Sequence, residues 1–199
     1  MIRRKINIKT LNNNFLSEAY EERYNKATES QQKRIDEMYE KVSIDEIQLR
    51  VLKRKRKYPE IGDIFRLMPP NNQYLYGIVV NNHIKNSNTD EQIVIMIFET
   101  KEKLIEACGR KILPDDLFVL PEIITKLYWT KGYFETIDKI ENFQCNADYG
   151  FYKAAFDMFL DEYAEEMDHR PQIVNYYGIT TDIGIASAVY RELIFRDMI

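Results

Sequence analysis

The sequence predicts an α+β protein, in which a small, curved antiparallel β-sheet packs against C-terminal helices behind an N-terminal helical extension. The first observation is a group of three short apolar runs in mid-chain, Gly62–Met68, Tyr74–Val80 and Ile93–Phe98, which are rich in Ile, Val, Tyr and Phe. The second is the helical spacing of apolar residues both before and after these runs. Strands that are grouped together and flanked by helices are typical of the α+β class.

The three runs are separated by segments that cannot continue a strand. Pro69-Pro70-Asn71-Asn72 lies between the first two runs, and the polar segment Lys85–Gln92 precedes the third. Proline lacks an amide donor and fixes φ, and asparagine tolerates turn geometry. We therefore predict a meander of three consecutive antiparallel strands. Strand alternation should place five of their residues on a face covered by helices: Phe65, Ile78, Val80, Ile95 and Ile97.

The N-terminal part of the chain predicts two helices. Apolar or small residues recur with helical spacing from Phe15 to Val42, with a break at Thr28-Glu29-Ser30. Ser43-Ile44-Asp45-Glu46 has the pattern of a capping box and predicts the start of a second helix. That helix is expected to end in the basic run Lys53–Lys57, because Pro59 disfavours helix at the residue before it.

The chain beyond the meander predicts a mixture of helices and strands. In order these are a helix at Thr100–Cys108, a strand at Asp116–Leu120, a hairpin at Lys126–Ile137, a helix at Phe151–Met167, and a final helix through Phe195 that Thr181 or Asp182 caps. The hairpin turn is expected where Gly132 can supply a positive φ.

Composition and charge indicate a globular chain with two unlike parts. Hydrophobic residues make up 45% and charged residues 30% of the 199 residues. Residues 1–57 carry 15 Lys or Arg and 9 Asp or Glu, a net charge of +6, whereas residues 58–199 carry 13 and 23, a net charge of −10. We therefore expect an N-terminal helical extension over 1–57 and a separate domain over 58–199. The N-terminus has no signal-peptide pattern, and the longest apolar run is too short to span a bilayer, so we expect a cytoplasmic protein without membrane contact.

The residues that carry most enzymatic chemistry are few and scattered. The candidates for a metal site or a nucleophile are His83, His169, Cys108 and Cys145, and no two of them stand at zinc-ligand spacing. The sequence contains no nucleophile elbow, and its seven glycines form no phosphate-binding loop. We therefore expect no catalytic residues, no metal and no cofactor.

Two charged segments are candidates for binding. The run Lys53–Lys57 can be a solvated helix end or a contact for nucleic-acid phosphates, although the acidic remainder of the chain would repel a long nucleic acid. On the predicted helix at 151–167, Asp157, Asp161 and Glu165 are spaced to share one face. This face can be a solvated surface or, with Glu162 and Glu166, a patch that attracts a basic partner.

Several short segments resemble the immunity protein 26 family of bacterial polymorphic toxin systems. Gly62-Asp63-Ile64-Phe65 is similar to the first strand of that family, and Tyr74–Val80 to its second strand. Trp129–Phe134 resembles its later Trp-x-x-Gly strand, and Tyr177-Gly178 precedes a similar closing helix. The resemblance extends over roughly 58–199 and leaves out the helical segment 1–57. It implies a protein that binds and neutralises a cognate toxin, with no family catalytic residues to carry over.

The resemblance and the charge pattern together favour one function over two others. We expect a non-enzymatic cytoplasmic immunity protein, with a toxin-binding surface that includes Asp157, Asp161, Glu162, Glu165 and Glu166. A nuclease toxin with a basic cleft would suit this acidic surface. The main alternative is a nucleic-acid-binding regulator that uses the basic segment 50–57, and the third is a small enzyme of unrecognised type.

Overall fold

The three central runs form the middle of an antiparallel sheet, as the sequence predicts. The computed structural model describes residues 13–84 and 92–199. Within them the helices are α1 (Phe15–Lys26), α2 (Glu29–Glu40), α3 (Ile44–Ile47), α4 (Lys101–Cys108), α5 (Leu127–Lys131) and α6 (Asp182–Phe195). The strands are β1 (Asp63–Leu67), β2 (Leu75–Ile84), β3 (Gln92–Phe98), β4 (Val119–Thr125), β5 (Glu135–Lys139), β6 (Tyr149–Lys153), β7 (Met158–Leu160) and β8 (Ile173–Tyr176).

The strands form two sheets that meet along β4. The larger sheet has the order β4-β3-β2-β1-β5, and each neighbouring pair in it is antiparallel. The smaller sheet has the order β7-β6-β8, in which β6 pairs antiparallel with β7 and parallel with β8. The side-chain amide of Asn175, on β8, donates to the carbonyl of Pro121, on β4, at 3.0 Å. Mixed helices and strands of this kind confirm the predicted α+β class.

Both faces of the larger sheet are covered. On one face Phe65, Ile95 and Ile97 pack in a cluster with α5 and α6. On the other face Ile78 and Val80 pack in a second cluster with α4 and the smaller sheet. The five residues predicted to be core are all buried, but the prediction that they share one covered face was wrong. The unbroken run Ile93–Phe98 is the signal for this arrangement, since a strand buried on both sides does not alternate.

The motif residues that carry the family resemblance form, or make room for, a cluster of aromatic rings in the core. Phe65 on β1 lies opposite Gly77 on β2, and a Cβ on Gly77 would stand 2.3 Å from Cζ of Phe65. The Phe65 ring stacks on Phe134 with centroids 4.4 Å apart and meets Trp129 edge-on at 5.3 Å. Gly132 has φ +89°, a left-handed conformation that ends α5 and lets the chain turn back to place Phe134.

Three predicted helices keep close to their predicted bounds because local caps fix their ends. Thr28 accepts the amide of Gln31 and separates α1 from α2 at the predicted break. Thr100 accepts the amide of Lys103 at the start of α4, and Thr181 accepts the amide of Gly184 at the start of α6.

Other predicted elements were wrong, and tertiary contacts explain the differences. The helix expected from Ser43 to Lys57 stops at Ile47, because Leu49 enters the core and the Arg50 amide donates to the Met68 carbonyl. The Ser43 hydroxyl donates to the Glu46 carboxylate instead of capping an amide. The hairpin expected at 126–137 is helix α5 followed by strand β5, and the strand expected at Asp116–Leu120 starts only at Val119.

The largest error concerns residues 151–167, which form strands β6 and β7 instead of a helix. A turn between these strands ends at Asp157, whose φ of 52° a helix does not allow. Phe151 and Tyr152 are buried as β6 runs between its two neighbours in the smaller sheet. The C-terminal part described here therefore contributes one long helix, α6, and not the two that were predicted.

The N-terminal helices pack on α6. Ile35 and Met38 of α2 are buried, and the Gln31 side chain donates to the carbonyls of Ile194 and Phe195. Arg23 of α1 forms a two-pronged ion pair with Glu192 at 2.6 and 2.8 Å. The proposed division of the chain at residue 57 remains a prediction. Among the described residues, no helix combines the length and apolar character needed to cross a bilayer.

Candidate functional site

The five acidic residues predicted to line a helix face lie instead around strand β7. Asp157 precedes β7, and the other four follow it in a turn over residues 161–166. Asp157, Asp161 and Glu165 therefore do not share a face at helical spacing. We call residues 161–166 the acidic turn.

The acidic turn uses part of its charge to hold itself together. One carboxylate oxygen of Asp161 accepts the amides of Tyr163 and Glu165, both at 2.9 Å. Glu162 accepts the side-chain amide of Asn81 at 3.0 Å, which ties the turn to β2. Asp157 accepts the Tyr152 hydroxyl at 2.6 Å. Three of the five predicted contact residues therefore help to hold the fold through their side chains. The side chains of Glu165 and Glu166 are exposed.

The basic run is not a helix end. Residues 50–57, which we call the basic strap, contain no helix or strand and lie against the core elements. The amide of Arg50 donates to Met68 at 2.7 Å, that of Leu52 to Gly132 at 2.7 Å, and that of Lys55 to Trp129 at 2.9 Å. These bonds hold the backbone of the strap at three points, because each accepting carbonyl belongs to a fixed part of the fold.

Most cations of the basic strap have no carboxylate partner among the described residues. Arg50, Lys53, Arg54 and Arg56 are exposed and form no ion pair there. Lys57 differs because it pairs with Glu60 at 2.6 Å. Hydrogen bonds from Lys139 and Lys57 lower the pKa of Glu60 to about 2. Four cations of the strap are thus without a carboxylate partner among the described residues, and the last cation, Lys57, is paired.

The acidic turn contacts the far end of β2. Asn81 donates to Glu162 and to the Tyr163 hydroxyl, at 3.0 and 2.7 Å. Its neighbour Asn82 donates to the carbonyl of Pro59 at 2.8 Å, beyond the end of the strap. The strap itself begins near the start of β2, because the Arg50 amide donates to Met68, which follows the Leu67–Leu75 pair.

A cleft of about 910 Å³ opens between α1, α6 and the segment that leads into β4. Its arginines are largely engaged: Arg23 and Arg196 both contact Glu192, and the Arg191 guanidinium stacks over Tyr20. Glu122 lines the cleft and accepts the hydroxyl of Thr180.

Burial raises the pKa of Glu122 to about 7, although bonds to Thr180 and Asn175 oppose the shift. The sequence motifs did not single out this residue. A lone glutamate within the apolar strand Val119–Thr125 was the available signal.

The predicted nucleophile candidates do not form a catalytic group in the part of the chain that the structure describes. Burial raises the pKa of Cys108 to about 11 and that of Cys145 to about 12, so neither thiol is a thiolate at neutral pH. His169 has two carboxylate neighbours that the sequence did not indicate. Its ring nitrogens contact Asp168 at 2.8 Å and Asp148 at 3.0 Å, and these carboxylates raise its pKa.

The geometry around His169 does not suit proton transfer to a nucleophile. Both ring nitrogens are occupied by carboxylates, so neither is left to accept a proton from a hydroxyl or thiol. The side chain of His83 lies outside the described residues. Over residues 13–84 and 92–199, no group of three or more His, Cys, Asp and Glu side chains could hold a metal ion.

The fold is that of a small α+β protein with two charged surface segments, the acidic turn and the basic strap. The model of the immunity protein 26 family matches residues 60–159, which is half of the chain, and the protein belongs to that family. The match runs from just before β1 into β7 and includes the Gly62, Gly77 and Trp129 motifs. No curated protein and no solved structure gives a significant match to the chain.

Proposed function

We propose that this protein is a non-catalytic immunity protein that binds a cognate toxin in the bacterial cytoplasm and neutralises it. The observation that carries the proposal is the family match over residues 60–159. The described histidine and cysteines support it, because their surroundings disfavour nucleophilic and general-base chemistry. The toxin is proposed to belong to a polymorphic or contact-dependent system.

The acidic turn remains a proposed toxin contact, on a different structural basis from the predicted helix. Glu165 and Glu166 lie on a turn that Asp161 and Glu162 hold in place, so the backbone that carries these exposed charges is ordered. Exposed carboxylates on an ordered turn attract a basic surface during association. A nuclease toxin with a basic substrate cleft would have such a surface.

Co-expression with the toxin tests the proposal. The probe is a candidate toxin domain, namely the C-terminal domain of any large protein encoded beside this gene, expressed in a sensitive bacterium with and without this protein. We expect growth to be restored and the two proteins to co-purify. Toxicity that persists despite soluble expression of this protein would contradict the proposal.

A variant without the candidate nucleophiles separates binding from catalysis. Replacing His83, His169, Cys108 and Cys145 together, by Asn at the histidines and Ala at the cysteines, should leave protection intact. The unfolding transition of the variant checks that it folds. Loss of protection by a folded variant would favour an enzymatic mechanism.

A nucleic-acid-binding regulator is the second candidate, and the unpaired cations of the basic strap favour it. Two features oppose it. Residues 50–57 contain no aromatic side chain on which a base could stack, and residues 58–199 carry a net charge of −10. Binding to a DNA or RNA duplex at physiological salt, lost when Arg54 and Arg56 become Ala, would support this candidate.

A further inference from the structure

The basic strap is preorganised for contact with a partner. Its backbone is held by bonds to Met68, Gly132 and Trp129, and Leu49 is buried just before it. The strap lies so close to Gly132 that a Cβ added to this glycine would stand 3.0 Å from Cγ of Arg54. A segment that is already ordered loses little conformational entropy when it binds, so its contacts contribute more fully to affinity.

The strap also differs from several arginines elsewhere in the described structure. Arg23, Arg66 and Arg110 each form an ion pair with a carboxylate, at 2.6, 2.8 and 2.7 Å. Arg50, Lys53, Arg54 and Arg56 do not pair with any described residue. The strap therefore leaves a row of cations available to an anionic surface.

The composition of the strap favours a protein surface over a nucleic acid. Val51 lies among the cations and is 57% exposed. Arginine is enriched at protein interfaces, in which a polar rim surrounds an apolar core. Single-stranded nucleic-acid sites usually add aromatic side chains for stacking, and residues 50–57 have none.

We propose that the basic strap docks an acidic patch on the cognate toxin. This inference rests on the proposed function. The exposed cations Arg50, Lys53, Arg54 and Arg56 lie on a backbone that is held at three points, so they present positive charge to a partner from an ordered segment. Such charges help to orient the complex, because a partner docked in another orientation would lose this complementarity.

Charge reversal tests the strap. The variant Lys53→Glu with Arg56→Glu changes two exposed cations whose side chains make no bond to the described fold. The matched control is Lys26→Glu with Lys33→Glu, which makes the same change of net charge on α1 and α2. Lys26 pairs with Glu22, but both are well exposed and such pairs stabilise little.

Stopped-flow association with the purified toxin domain, at low and at physiological salt, gives the decisive readout. At low salt we expect the association rate of the strap variant to be about tenfold lower than that of the unmodified protein, or lower still. The difference between the two rates should become smaller as the salt concentration rises. The control should retain the original rate, and neither variant should change the unfolding midpoint. Equal rates for the strap variant and the control would overturn the inference and leave the proposed function standing.

Two further outcomes can be distinguished from these. If the unmodified protein does not bind the toxin domain at all, the proposed function fails, and the docking inference fails with it. If the unmodified protein binds a 20-base-pair DNA or RNA duplex at physiological salt and the strap variant does not, the strap is a nucleic-acid site. That result would overturn its assignment to a protein partner.

Discussion

At the scale of single residues, the fold depends on glycines that make room for rings and turns. Gly77 leaves space for the Phe65 ring, and Gly132 both ends α5 and lies under Arg54 of the basic strap. These residues belong to the short motifs that carry the family resemblance. The motifs therefore reflect how the core packs. They do not themselves identify a binding site.

Replacing Gly77 by Ala should destabilise the protein. The new Cβ would meet the Phe65 ring at 2.3 Å, so the ring and its stacked neighbour Phe134 must shift. We expect a loss of about 1–3 kcal/mol in unfolding free energy, measured by urea denaturation. Gly178→Ala is the control, because an added Cβ there meets nothing within 4 Å. Similar urea midpoints for the two variants would contradict the ring-on-glycine packing.

Glu122 should make stability depend on pH. Its pKa of about 7 lies above the ordinary value of 4.5, so the folded state binds more protons between these values. Stability from this group is therefore greatest at low pH and falls as pH rises through 7. Glu122→Gln should flatten the dependence of Tm on pH between 5 and 8.

A control is needed because the pKa of His169 is also raised and its contribution falls in the same direction with rising pH. The variant His169→Asn measures the contribution of His169 to the pH dependence of Tm separately. A pH dependence that Glu122→Gln leaves unchanged would show that Glu122 is not responsible.

At the scale of elements, the sequence predicts those helices and strands whose ends are set by local residues. The meander could be predicted because prolines and asparagines end its strands, and α4 and α6 because threonines cap them. Residues 151–167 could not be assigned correctly from their pattern. Phe151, Ala155, Phe159 and Tyr163 recur at four-residue spacing, which fits one face of a helix, although these residues belong to two strands and the turns beside them. The deciding feature, a left-handed turn at Asp157 followed by pairing with β6, depends on the rest of the smaller sheet.

The candidate site was predicted less well than the fold for the same reason. Residue types and charges identified both charged segments, but their conformations are set by tertiary bonds. The strap is held by carbonyls at 68, 129 and 132, and the acidic turn by Asn81. No local pattern at 50–57 or 161–166 indicates these distant partners.

Within the acidic turn, two carboxylates should behave differently. Asp161→Ala removes the acceptor of two backbone amides, and we expect a loss of about 0.5–2 kcal/mol in unfolding free energy. Glu165→Ala should stay within about 0.5 kcal/mol, because this side chain is exposed. Thermal and urea unfolding of both variants give the comparison. Equal effects on stability would mean that Asp161 does not hold the turn.

Toxin binding should show the opposite order within the turn. Glu165→Lys should slow association with a basic toxin surface while the unfolding midpoint stays the same, because the change affects an exposed charge. The association rate at two salt concentrations measures this effect. An unaltered rate and salt dependence would remove Glu165 from the binding surface.

At the scale of the whole molecule, the N-terminal helices and the basic strap are packed against the chain that follows them. Arg23 pairs with Glu192 on α6, and the strap is bonded to Met68, which follows β1, and to Trp129 and Gly132 of α5 and its end. This packing holds the basic strap against the part of the chain that follows it. The strap is therefore an ordered part of the surface, which favours its use in docking a partner.

The most direct test of non-catalytic immunity is a titration of toxin activity against this protein. With the toxin held at a concentration well above the dissociation constant, binding predicts that residual activity falls linearly and reaches its minimum at a fixed molar ratio. That ratio should not change with incubation time. Complete inactivation by a small fraction of one chain per toxin, progressing with time, would show turnover and would contradict the account.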